Sequence, residues 1–148
     1  MADLKLIALD EEDLAVLSAH LQDAVVRVGD ILYEAPVKRF AMVVNRFDWS
    51  SLAKPGRSKT YTRCRTGIRL QQVTAVRSRN INRSDKDAVL SLLAITFAPT
   101  EPPSGIVTLH FSGSMAIELD VECIEAELRD LGAAWTTTRQ PRNPGIRS

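Results

Sequence analysis

Apolar and polar positions alternate along much of this chain, and the places where the alternation breaks divide it into short elements. Leu4, Leu6 and Ala8 alternate with Lys5, Ile7 and Leu9, which predicts a first strand. Asp10 then offers an N-cap to a segment opening Glu11, Glu12, Asp13, whose carboxylates complement the positive end of a helix dipole. Leu14, Leu17 and Leu21 follow at i, i+3 and i+7, so a short helix with one buried stripe is expected. From Ala24 the residues favour strand again: Val25, Val26 and Val28, then Ile31, Leu32 and Tyr33, interrupted by Gly29 and Asp30 as a tight turn or a bulge. Pro36 ends that element, and Arg39 to Trp49 reads as the next strand.

Residues 50–59 (SSLAKPGRSK) read as an exposed loop. Beyond it, Arg63, Arg65, Arg69, Arg77 and Arg79 all occupy odd positions while Cys64, Ile68, Leu70 and Val76 occupy even ones. Side chains two apart share one face of a strand, so an unbroken register puts five guanidinium groups on one side of a sheet. A turn at Gly67 or near Gln72 would end that shared face.

The run from Ala88 to Phe97 is nearly continuous in apolar residues, as a central strand covered on both sides would be. The proline-rich stretch 99–105 connects it to a strand from Ile106 to Phe111, and a turn at 112–114 leads to the alternation of Ile117, Leu119 and Val121 with acids. Ile124, Leu128 and Leu131 then recur at i, i+4 and i+7 among Glu122, Glu125, Glu127 and Asp130, with Gly132 as a stop, which predicts an amphipathic C-terminal helix. Residues 136–148 hold little to bury and read as a flexible tail after one domain spanning 1–135. The expected architecture is α+β: a mainly antiparallel, strongly bent sheet of about seven strands with an N-terminal and a C-terminal helix. A roll of the pleckstrin-homology type is preferred, and a sheet layered under two helices explains the same pattern.

Composition adds little until charge is mapped along the chain. With 148 residues, 45% hydrophobic and 25% charged, the sequence is that of an ordinary globular domain. No apolar run approaches the roughly 20 residues that span a bilayer, and the opening MADLKLIALDEED lacks a basic region followed by an apolar one, so no membrane association and a cytoplasmic location are expected. Cys64 and Cys123 are far apart without metal-like spacing, which suits buried thiols in a reducing compartment. Charge is strongly sorted: Lys38 to Arg83 holds twelve basic residues and one acid, Asp48, a local net charge of +11 in a chain whose total is +1. Such sorting bears on partners rather than on fold.

Several of these segments together, LKLIALDEEDL at the start, the following LQDAV, NRFDW at 45–49, VLSLLAITF, and LHFSGSMAIELDVECIEAELRDLG, resemble an uncharacterised family of small alphaproteobacterial proteins, a domain of unknown function. The likeness covers roughly residues 4–135. It implies a bacterial cytoplasmic setting and a single domain, and it carries no activity, cofactor or functional residue.

Catalytic constellations are thin. His20 falls at the end of the first helix and His110 on a strand, neither beside a second ligand at metal spacing. FSGSM at 111–115 lacks the order of a nucleophile elbow, and the glycines are isolated, so no catalytic residue, metal or cofactor is expected. The candidate binding residues are Arg57, Lys59, Arg63, Arg65, Arg69, Arg77 and Arg79, together with Arg46 and Trp49 of the NRFDW cluster. They suit an acidic protein partner or a second copy of the chain offering its acids. Contact with nucleic-acid phosphates is one alternative, disfavoured by a pI near 7.8, and a small-molecule enzyme is the least favoured one. The bland reading pairs the same arginines with Glu122, Glu125, Glu127 and Asp130 inside one fold, and packs NRFDW as a strand end, with Asp48 pairing a neighbouring arginine.

Overall fold

A computed structural model of the protein describes residues 4–46 and 63–132, and the backbone of residues 47, 62, 135 and 136. Among them run eleven strands, one α-helix and two single 3-10 turns. Strand β1 (Lys5–Ala8) leads to helix α1 (Glu11–His20), followed by β2 (Val25–Arg27), β3 (Ile31–Glu34), β4 (Arg39–Phe47) and β5 (Thr62–Leu70). Then come β6 (Val73–Arg79), β7 (Val89–Pro99), β8 (Gly105–Phe111), β9 (Met115–Val121), β10 (Ala126–Asp130) and β11 (Trp135–Thr136). All pairings are antiparallel, in the order β1-β10-β5-β4-β2-β7-β8-β9-β6, with β3 also on β4 and β11 also on β5.

The sheet folds into two leaves, and β7 is the hinge between them. Its start, Val89 to Ser91, pairs β2 in the first leaf; from Leu92 onward it pairs β8 in the second. A bulge between Leu92 and Ala94 lies just past the switch, the usual device by which a strand turns a corner. Two further crossings run side by side at the opposite seam, β5 to β6 through Gln71–Gln72 and β9 to β10 through residues 122–125. They are tied by Gln71 N–H to Glu125 O and Glu122 N–H to Gln72 O, both 2.9 Å. Gln72 turns there with φ of 64°.

Helix α1 forms as its sequence dictates. The Asp10 carboxylate accepts the Asp13 N–H at 2.8 Å, and Leu14, Leu17 and Leu21 are buried. Each buried leucine contributes about 1.5–3 kcal/mol of transfer free energy. Ser18 Oγ takes the Ile95 N–H at 2.8 Å, fixing the helix against β7 beyond the bulge. One apolar core draws on both leaves, with Phe40, Met42, Ile68 and Leu128 from the first and Val107, Leu109, Ile117 and Leu119 from the second.

The expected α+β domain of about seven strands with a helix at each end is corrected to an antiparallel β fold with eleven strands and one α-helix among the described residues, and with it falls the pleckstrin-homology roll, which needs a closing C-terminal helix. The segment expected to be that helix is β10, an interior strand between β1 and β5. Its burial alternates: Ile124, Ala126, Leu128 and Asp130 point inward, whereas Leu131 is 51% exposed. A buried acid and an exposed leucine disguised a period of two as a helical one. Nor is β7 covered on both sides, since Val89 and Leu93 are exposed at the corner.

Candidate functional site

The five alternating arginines keep their outward parity but do not share a sheet. Strand β5 runs through Gly67 without a register break against β4 or β10, so Arg63, Arg65 and Arg69 stand on the outer face of the first leaf. The crossing at Gln72 carries Arg77 and Arg79 to the second leaf, where the shift between Val73 and Ala75 restores their outward direction. The expected single face is therefore two faces, and their electrostatics differ.

On the second leaf the charges cancel. Arg77 donates two hydrogen bonds to the Asp120 carboxylate, 2.9 and 2.8 Å, and a third from Nε to Glu118 at 3.2 Å; Arg79 reaches Glu118 at 2.7 Å. All four residues stand on the paired strands β6 and β9, so the network is a direct product of register. The hydrogen bonds from Arg77 hold the Asp120 carboxyl below the usual carboxylate range, and those to Asp120 and Glu118 raise Arg77. Beside them His110 Nε2 and Thr96 Oγ1 are 2.8 Å apart across β7 and β8.

The first leaf is unbalanced. Glu127 of β10 is the shared partner of Lys5 (3.9 Å), Arg129 (3.7 Å) and Arg69, so one carboxylate faces three cations. Arg27 reaches Asp30 at 3.4 Å. Arg65 is exposed, and among the described residues no carboxylate comes within ion-pair distance of it. Between the charges the outer face is apolar and grooved. A trough of about 260 Å³ runs over Gly67 between Val43 and Leu131, and one of about 350 Å³ lies over Val25, Val43 and Val89 beside Arg65. A third, about 300 Å³, is bounded by Ile7 and Leu9, themselves 57% and 64% exposed.

Arg46, a surface candidate in the sequence, lies in the interior with Phe40, Met42 and Val44 on the inward side of β4, its side chain 8% exposed and paired with Asp130 at 2.9 Å. Burial alone would raise the Asp130 carboxyl, but hydrogen bonds from Arg46, the Leu4 N–H and Thr66 outweigh it and hold it below the usual range. Burial pushes the neighbouring Cys64 thiol up, a direction that disfavours the thiolate and its reactivity. Cys64 and Cys123 are both free. Trp49, Arg57 and Lys59 lie outside the described residues, as do loop 50–59 and the tail beyond 136. Among the described residues no helix is long and apolar enough to cross a membrane, and no cluster of three metal-ligating side chains occurs.

Sequence reasoning passed over Lys5, Arg27, Asn45 and Arg129, which complete the first-leaf face. The signal for one of them was available: Asn45 shares with Ala41 and Val43 the odd parity of Arg63 and Arg65, and the register sets it directly opposite Arg65. Lys5, Arg27 and Arg129 needed the sheet order, which brings β1, β10 and β2 beside them.

Fold and face together define a bent, two-leaved antiparallel β domain with a cationic, grooved outer surface on one leaf. The chain belongs to the family described as protein of unknown function DUF2948, matched over residues 4–143. Neither the curated proteins nor the solved structures contain a match to it.

Proposed function

We propose that this protein is a cytoplasmic, non-enzymatic binding module that engages an acidic protein partner through the outer face of its first leaf. One observation carries the reading: the arginines of the second leaf are neutralised by Glu118 and Asp120, whereas on the first leaf Glu127 is divided among Lys5, Arg69 and Arg129, and among the described residues no carboxylate lies within ion-pair distance of Arg65. An uncompensated positive field beside apolar troughs favours a partner that brings carboxylates and apolar side chains together. Apolar grooves also favour a protein over nucleic-acid phosphates, which would bring only charge to this face. Two free cysteines support a reducing compartment.

Capture from the source cytoplasm tests it. Wild-type protein retains a partner that Arg65→Glu with Arg69→Glu loses, while Arg77→Ala with Arg79→Ala keeps it. An acidic second copy of the chain appears in the same experiment as a change of sedimentation. Identical captures and identical sedimentation for all three proteins overturn the proposal. Steep loss of binding to duplex DNA with salt, near 0.9 in log–log slope per phosphate, would instead identify a nucleic-acid face.

A further inference from the structure

Resting on that reading, we infer that the anchor of the surface is the trough beside Arg65 and Asn45, and that it takes a carboxylate side chain of the partner together with an adjacent apolar one. The strand register builds this trough. Arg65 of β5 is opposite Asn45 of β4, Asn45 is opposite Val25 of β2, and Val25 is opposite Ser91 of β7, so one row crosses four strands on the outer face. Val43 and Val89 stand next to that row and complete the floor of a cavity of about 350 Å³.

Two polar groups line this space without a side-chain partner among the described residues. The Asn45 amide is half-buried and makes no hydrogen bond among the described residues, and Arg65 has no carboxylate there. Arg27 and Asp30 also line the trough and are paired with each other at 3.4 Å, so that Asp30 carboxylate is engaged by Arg27 and lies beyond ion-pair distance of Arg65. A guanidinium offers five N–H donors and an amide two, a set that matches the acceptor-only oxygens of a carboxylate. The valines around them offer no polar atom, so a bare anion leaves their surface wet, whereas an aliphatic neighbour of the carboxylate covers it. Charge complementarity therefore selects an acidic segment with alternating apolar side chains over an inorganic anion.

The test uses three synthetic peptides of equal length, with Glu–Leu, Gln–Leu and Glu–Ser repeats, titrated into the full chain and followed by two-dimensional NMR. The Glu–Leu peptide shifts the Asn45 side-chain amide and the Arg65 Nε resonance saturably, and the other two bind at least about tenfold more weakly, Gln–Leu through loss of a charged hydrogen bond and Glu–Ser through loss of the buried leucine surface. Arg65→Gln and Asn45→Leu each reduce Glu–Leu affinity about 10- to 100-fold, with the rest of the spectrum unchanged as proof of folding. Shifts confined to Lys5, Arg69 and Arg129 overturn the trough as anchor and leave the wider binding face standing. No shift with any peptide at millimolar concentration also overturns it. The wider reading then stands or falls on the lysate capture, where Asn45→Leu retaining the partner of wild type would confirm that the trough is not the anchor.

Discussion

Arg46 and Asp130, 84 residues apart in sequence, meet in the interior as a two-pronged pair, with Nε on one carboxylate oxygen at 3.1 Å and Nη2 on the other at 2.9 Å. Thr66 Oγ1 donates to the same carboxylate at 2.9 Å and the Leu4 N–H at 2.8 Å, so β4, β5, β10 and the residue that leads into β1 converge on one acid. A buried carboxylate survives only when such donors replace its water. The Leu4 bond also explains how a four-residue edge strand is held in place.

Removing either partner strands the other charge. Asp130→Ala or Arg46→Ala is expected to destabilise the fold by about 3–5 kcal/mol, whereas the double substitution Arg46→Met with Asp130→Leu costs far less than the sum and can match wild type. Urea unfolding of the four proteins measures this directly. Additive losses in the double variant would show that the pair does not act as a unit.

Acid should dissolve the same pair. The Asp130 carboxyl titrates below its unfolded value of about 3.9, so its stabilisation is fully present above that pH and is lost as the pH falls through the folded value. Asp120 is also lowered by Arg77, but its side chain is 38% exposed and solvent screens its share. Between about pH 4 and pH 2 the urea midpoint of wild type should therefore fall more steeply than that of Asp130→Asn, and the gap between them should narrow. Parallel curves would assign the acid sensitivity to other carboxylates.

The same pair marks where the sequence was legible and where it was not. The N-cap at Asp10, the leucine stripe of α1, the turn at 112–114 and the outward parity of the arginines were readable, because each follows from neighbours a few positions away. The C-terminal strand was not, since the inward position of Asp130 depends on Arg46, far away in sequence, and Leu131 reads as core although it covers Gly67 from outside. Parity likewise could not reveal that the sheet changes at Gln72, because the bulge after Val73 restores the pattern that the crossing breaks. The charge imbalance of the first leaf appears only once the strand order places Lys5 and Arg129 beside Arg69 at a single glutamate.

Gly105 opens β8 opposite Pro99, at the far end of the hinge strand. A Cβ at this position would overlap the ring of Phe97 and approach Ala98 O to 2.7 Å. The backbone oxygen cannot yield as a flexible side chain does, so Gly105→Ala is expected to cost about 1–3 kcal/mol, the range of overpacked cores. Thermal unfolding should show a Tm lowered by several degrees for a chain of this size. Pairing it with Phe97→Leu should recover part of the loss; a Gly105→Ala protein as stable as wild type would mean that the β7–β8 end opens without penalty.

The two arginine groups make opposite predictions although strand parity treats them alike. Arg77 and Arg79 belong to a closed, solvent-exposed network with Glu118 and Asp120, in which each pair contributes about 0–1 kcal/mol. Arg77→Ala with Arg79→Ala should therefore lower stability by at most about 2 kcal/mol, and 1 M salt, where the screening length is about 3 Å, should shrink the difference from wild type. Arg65→Ala removes no ion pair among the described residues, so its stability should stay within about 0.5 kcal/mol of wild type at any salt concentration. The comparison is made by urea unfolding at low and high salt. If Arg65→Ala instead lost stability in a salt-dependent way, Arg65 would be compensated within the fold, and the positive field of the first leaf would be an internal device rather than a surface offered to a partner.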